Sequence, residues 1–304
     1  MGDQAQKLRE MIRLRKNLPG DMKKTEKQHS PHRAESPAPD SRVVAVTSGK
    51  GGVGKTNFTI NLGISLARAG KKVVIFDADL GMANIDVILG SIPKYTLVDL
   101  METDLPIERI MSEGPEGIKI ISGASGIEGL IDMSPENTKR LNQRFSQISR
   151  YADFILIDTG AGIAKSVLSF VLSAQEVLVI STPEPTSITD AYAVIKAVGK
   201  QDQNKSIQLV INKVRDRKQG REVYEKLKRV GREFLQMEIG LLGCVQEDPY
   251  VVKAVYSQTP FSVQFPGSQA AKDVKEAAGN LIDQKRLVLP EEQGFFQKVA
   301  GWFK

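Results

Sequence analysis

Seven short apolar runs recur along the chain, with helical spacing of apolar residues between them. They are Val43–Val46, Lys72–Phe76, Ile118–Ile121, Phe154–Ile157, Glu176–Ile180, Gln208–Ile211 and Leu241–Val245. Runs this short, apolar at successive positions, predict strands buried on both faces. The first predicted helix starts at Lys55 and runs towards Arg68, stopping at Gly70, a residue suited to end a helix. Alternation of strand and helix predicts an α/β fold, a doubly wound and mostly parallel sheet. No internal repeat is found.

The two ends follow other rules. Within residues 1–18, positions 3–17 read as a basic helix with Gln4, Leu8 and Met11 on one face. Residues 19–41 are polar and proline-bearing, as linkers are, so the globular body is expected over 42–285. The C-terminal segment, 286–304, begins with a break at Pro290. At about 100° per residue, Phe295, Phe296, Val299, Ala300, Trp302 and Phe303 then share one arc. That helix carries two lysines and no acid, and at about 1.5 Å per residue it is too short to span a bilayer. It predicts an in-plane amphipathic anchor for an anionic membrane surface. The alternative is a terminal helix docked on the domain, and both hold if the two states alternate.

Composition narrows the class. With one cysteine, Cys244, the chain can form no disulfide framework and no multi-cysteine metal site. No signal peptide or membrane-spanning run is seen, which predicts a cytoplasmic protein that binds membrane peripherally and reversibly. The net charge is +6, and residues 1–42 hold ten basic side chains against six acidic ones. Such an arm is a contact surface more often than part of a fold. Arg215–Arg232 is also basic, with Arg217, Lys218, Arg221, Lys228 and Arg229. It reads as a solvated helix, with nucleic-acid contact as the less favoured alternative.

The chemistry concentrates after the first run, in Gly49-Lys50-Gly51-Gly52-Val53-Gly54-Lys55-Thr56-Asn57. Strand, glycine loop and helix in that order make a phosphate cradle of backbone N–H groups. Lys55 would sit at the β/γ-phosphates, and the Thr56 hydroxyl on Mg²⁺. Asp77 and Asp79 end the second run, at the strand ends where ligands of parallel sheets bind. Asp158 ends the fourth run, as an acid that holds Mg²⁺ does. Asn212 closes the sixth, with an amide able to meet the adenine edge. No acid follows in the Asn-Lys-x-Asp manner of guanine sites, which favours ATP over GTP.

The loop, with its early second lysine at Lys50, resembles the deviant Walker A motif of the MinD/ParA ATPases. The resemblance implies a Mg²⁺-dependent ATPase, binding ATP and ADP, that dimerises around ATP with Lys50 reaching the partner's phosphates. Asp77-Ala78-Asp79-Leu80-Gly81-Met82-Ala83-Asn84-Ile85-Asp86 resembles the family's first switch. That implies Asp79 on the attacking water and Asp77 in the Mg²⁺ shell, and Thr159-Gly160-Ala161-Gly162 would be a mobile second switch. Backbone around Glu247-Asp248-Pro249 would pack on the base. Asp3-Gln4-Ala5-Gln6-Lys7-Leu8-Arg9 resembles the activator motif of the FlhG branch, MinD-like regulators of flagellar number and placement. This implies that Gln4, Leu8 and Arg9 dock on FlhF, a GTPase of the signal-recognition-particle type. The alternative is a ParA-like partition ATPase binding nonspecific DNA.

Overall fold

Val43, Val44, Ala45 and Val46 form the centre of β1, Arg42–Ser48, and their side chains alternate between two cores. Val43 and Ala45 enter the first, Val44 and Val46 the second, as the two-residue repeat of a strand requires. The computed structural model describes residues 41–79, 84–95, 99, 103, 105–123, 146–284 and 295–302. The chain divides into an N-terminal unit, Met1–Pro37, and a main unit, Ala38–Lys304. Gln4, Leu8, Arg9 and Phe303 lie outside the described residues, as do the side chains of Phe296 and Trp302.

All seven predicted strands form: β1, β2 (Val73–Ala78), β4 (Lys119–Ser122), β5 (Phe154–Ala161), β6 (Glu176–Ser181), β7 (Ser206–Val214) and β8 (Ile239–Gln246). An eighth, β3 (Met111–Glu113), is not legible in the sequence because its three residues form no apolar run. The sheet runs β3-β4-β2-β5-β1-β6-β7-β8, with β3 antiparallel to β4 and every other pair parallel. The helices are α1 (Lys55–Arg68), α2 (Asn84–Leu89), α3 (Ile107–Ile110), α4 (Lys165–Ser173) and α5 (Pro185–Gln201). They continue with α6 (Arg217–Val230), α7 (Pro249–Tyr256), α8 (Phe261–Gln264), α9 (Gln269–Asp283) and α10 (Phe295–Trp302).

One core joins the sheet to α4, α5, α6 and α10 through Phe170, Val194, Leu227 and Phe295. The other joins it to α1 and α9 through Leu62 and Val274. Thus α1, connecting β1 to β2, and α4, connecting β5 to β6, lie on opposite faces. The crevice at the carboxyl ends of β1 and β5 is where such sheets bind ligands.

One expectation changes, and the docked alternative for the terminal helix is the one seen. Thr159, Gly160 and Ala161 are the end of β5 rather than a mobile loop, because β2 and β1 extend beside them (Ala78 opposite Thr159, Ser48 opposite Ala161). And α10 is docked on α4, with Phe295 only 6% and Val299 only 5% exposed. Phe295 and Val299, two residues of the face expected to anchor in a membrane, are therefore turned into the protein in this state, which removes their apolar area from water.

Candidate functional site

The glycine loop joins β1 to α1. Gly52 and Gly54 have φ of 78° and 91°, left-handed values that L-residues avoid and that let successive N–H groups converge. Helix α1 starts at the loop with no side-chain cap and no acid in its first turn, so its free N–H groups and positive end are left for an anion. The loop lines a cleft of about 770 Å³ together with Asp79, Asn84, Asn212 and Asp248. Asn57, at the third helical position, also faces this cleft.

Asp158 is fully buried at the hub. It accepts from Lys55 Nζ at 3.0 Å, from Thr56 Oγ1 at 2.7 Å and from Thr59 Oγ1 at 3.0 Å. Thr59 belongs to no motif that the sequence announces, although it lies four residues from Lys55 and hence on the same helical face. Thr56 and Asp158 supply the hydroxyl and carboxylate oxygens that a hard cation such as Mg²⁺ takes. Among the described residues no cluster of three or more His, Cys, Asp or Glu could hold a metal alone. Nucleotide oxygens and water would have to complete the shell.

Asp77 stands opposite Asp158 on the neighbouring strand and is also fully buried. Its two oxygens accept from the N–H groups of Asp79 (3.1 Å) and Ile85 (3.3 Å), which ties β2 to the start of α2. Burial first, and then the Asp158 charge, push the Asp77 carboxyl up to about 7 from an ordinary 3.8, against the pull of those N–H groups and Lys55. The folded protein therefore holds a proton here that the unfolded chain has released, between the ordinary value and about pH 7. Stability falls as pH rises through that window, and the deficit is complete above it. Asp77→Asn is expected to raise Tm at pH 8, by about 1–3 kcal/mol of stability, and to give little at pH 4. Melting curves of the nucleotide-free protein at the two pH values check this; an equal change at both would show that the charge is not the cause.

Asp79 follows β2 and its Oδ2 accepts from Asn84 Nδ2 at 3.0 Å. Its Oδ1 lies 3.5 Å from where a Cβ on Gly160 would be, so the carboxylate faces the end of β5. Lys50 is turned to the start of α5: its ammonium is hydrogen-bonded to Glu184 and lies 3.2 Å from Thr186 Oγ1. That contact holds the Glu184 carboxyl below its usual range. Nothing in the spacing announces Glu184, which lies on a distant strand–helix junction.

Asn212 gives one amide hydrogen to the Val53 carbonyl at 2.7 Å, and Lys213 reaches the Gly52 carbonyl at 2.8 Å. Asn212 lines the cleft and has a second amide N–H and an oxygen beyond the Val53 bond. Asp248 is spent on structure: its oxygens accept from Tyr250 N at 2.9 Å and Ala270 N at 3.1 Å, capping α7 and bracing α9. Glu247, which lines the cleft, and Pro249 are exposed.

A parallel sheet with a glycine cradle at its centre, a buried lysine–aspartate pair and a threonine hydroxyl beside them defines a P-loop ATPase. Comparison with known proteins agrees. The family model described as "ParA: NUBPL iron-transfer P-loop NTPase" matches residues 40–282. The antiactivator FleN of Pseudomonas aeruginosa is 42% identical over 237 residues, covering 78% of this chain and 85% of that one. The flagellum site-determining protein YlxH of Helicobacter pylori is 32% identical over 271 residues, covering 86% and 91%. The septum site-determining protein MinD of Pyrococcus horikoshii, solved with Mg-ADP, superposes with a TM-score of 0.63 at 27% identity, covering 80% of this chain and 96% of that one. The chain belongs to the MinD/ParA family of P-loop ATPases. Its single cysteine, Cys244, has a thiol pushed up by burial, and one thiol does not make the multi-thiolate set of an iron–sulfur site.

Proposed function

We propose that this ATPase is a nucleotide-controlled switch for flagellar number or placement, with membrane attachment as its output. The observation that carries the reading is the docked α10. Its shelf, α4, begins three residues after Gly162, where a γ-phosphate would be sensed. Movement there would tilt the shelf and free Phe295 and Val299, with Phe296, Trp302 and Phe303, for an anionic membrane surface. The name of the YlxH relative, a flagellum site-determining protein, supports the flagellar assignment.

In this scheme ATP would occupy the cleft, and Thr56, Asp158 and Asp77 would hold Mg²⁺. The bound metal supplies charge for the phosphates. Lys55 leaves Asp158 for the β/γ-phosphates, and Lys50 exchanges Glu184 for the phosphates of a second subunit. Asp79 aligns the attacking water, and Asn212 with the Glu247–Pro249 backbone receives adenine. The N-terminal helix, through Gln4, Leu8 and Arg9, acts on an FlhF-type GTPase. Partition on DNA is the weaker reading, because Arg217 of the basic α6 is already paired with Glu276 and Arg215 with Asp216.

Flotation with anionic liposomes tests the scheme. The full chain is expected to float with ATP and stay behind with ADP, and a chain ending at Glu292 to stay behind with both. Two anchors on a dimer raise apparent affinity by about 10²–10⁴ over one, so the difference should be close to all-or-none. Flotation that ignores the nucleotide, or that survives truncation, would remove α10 from this role.

A further inference from the structure

Strand β7 pairs irregularly with β8 between Ile211 and Val214, and the two residues inside that irregularity both turn to the glycine loop. Asn212 Nδ2 donates to the Val53 carbonyl at 2.7 Å, and Lys213 Nζ donates to the Gly52 carbonyl at 2.8 Å. A carbonyl accepts only, so the Asn212 amide has one orientation that fits. Lys213 is exposed and holds a φ of 56°, in the left-handed region that side chains other than glycine's rarely enter. An exposed lysine–carbonyl bond adds little to folding, and the strained backbone opposes it. The fold thus keeps a strained backbone residue beside the glycine loop.

The consequence lies in peptide geometry. A trans peptide is planar, with its C=O and N–H on opposite sides. Drawing the Gly52 carbonyl towards β7 turns the Val53 N–H the other way, and drawing the Val53 carbonyl turns the Gly54 N–H likewise. The loop is seated tightly on this support: a Cβ on Gly54 would lie 2.4 Å from Asn212 Nδ2. We infer that Lys213, together with Asn212, is a positioning strap that presets two backbone N–H donors of the loop for phosphate, whatever base is attached. The inference rests on the loop being the nucleotide site of the ATPase. It gives Lys213 a part that neither the base edge nor the reacting atoms would require.

The test compares Lys213→Ala, Lys213→Arg and Lys213→Gly in the full chain, by titration with ADP and with inorganic tripolyphosphate, both with Mg²⁺. Tripolyphosphate has no base. Lys213→Ala is expected to weaken both ligands by the same factor, about tenfold for one lost charge-assisted hydrogen bond, and to raise the KM for ATP with kcat within about twofold. Lys213→Arg should restore most of the affinity. Lys213→Gly removes the left-handed strain, so it should melt no lower than the parent yet bind as weakly as Lys213→Ala. A purely structural residue would not separate those two properties. Unchanged tripolyphosphate binding in Lys213→Ala, or a loss confined to ADP, overturns the strap. Failure of the unsubstituted chain to bind ADP would instead sink the nucleotide site itself.

Discussion

Alanine at Asp79 is expected to leave Mg–ATP bound while turnover falls by about 10²–10⁴-fold, the range supplied by a positioned acid–base group. Phosphoryl transfer needs a water aligned with the γ-phosphate and charge placed around it more than it needs a strong base. Asp79 is well placed to align that water, since it leaves β2 at the cleft, faces Gly160 at the end of β5, and is steadied by Asn84 Nδ2 at 3.0 Å. Binding should survive because it rests on other groups. The cradle amides belong to the loop, and Lys55 and Thr56 are held through Asp158. Steady-state phosphate release alongside an ATP-binding titration decides the matter. Turnover at the parent rate would take Asp79 out of the reaction, whereas joint loss of binding and turnover would make it a support of the loop.

The parts of this site that can be read from the sequence are those built from neighbours in the chain. The loop, Lys55 and Thr56 fall within one strand–turn–helix unit, so their order already carries the geometry. Asp77 and Asp158 are legible for a different reason: parallel strands deliver their carboxyl ends to one edge of the sheet, and each acid closes an apolar run. What stays hidden are contacts made across the sheet. Glu184 meets Lys50 from a junction 134 residues away, and Lys213 meets Gly52 across 161 residues. No periodicity records such a meeting. The end of β5 invites misreading as a mobile loop for a related reason. Thr159-Gly160-Ala161 has loop composition, yet it is strand because β1 and β2 are present on either side to pair with it. The terminal helix illustrates the ambiguity of an amphipathic pattern, since an apolar arc suits a bilayer, yet Phe295 and Val299 of this one lie buried in a helix docked on α4.

Gly49→Ala should be far more damaging than Gly51→Ala, although the two glycines stand two residues apart in one motif. A Cβ on Gly49 would lie 2.2 Å from the Asp190 carbonyl carbon and 2.3 Å from its oxygen. Those atoms are backbone of α5 and cannot rotate aside as a side-chain tip can. A Cβ on Gly51 would have nothing within 4 Å. The constraint at Gly49 is room, not backbone freedom, because its φ lies outside the left-handed region. Relief requires either α5 or the loop to move. Moving α5 disturbs Val194, Ile195 and Val198, all fully buried against the sheet, and overpacking of this kind costs about 1–3 kcal/mol or more. Moving the loop instead displaces Lys50 and the first cradle amides, and a shift of about 1 Å can cost 10²-fold in a positioned reaction. Gly49→Ala is therefore expected to lower Tm by several degrees, at roughly 2–4 °C per kcal/mol for a chain of this size, and to weaken ADP binding at least tenfold or so. Gly51→Ala should melt within about a degree of the parent. Equal melting temperatures for the two variants would mean that α5 yields to the loop, and that the close approach at Asp190 does not hold the cradle in place.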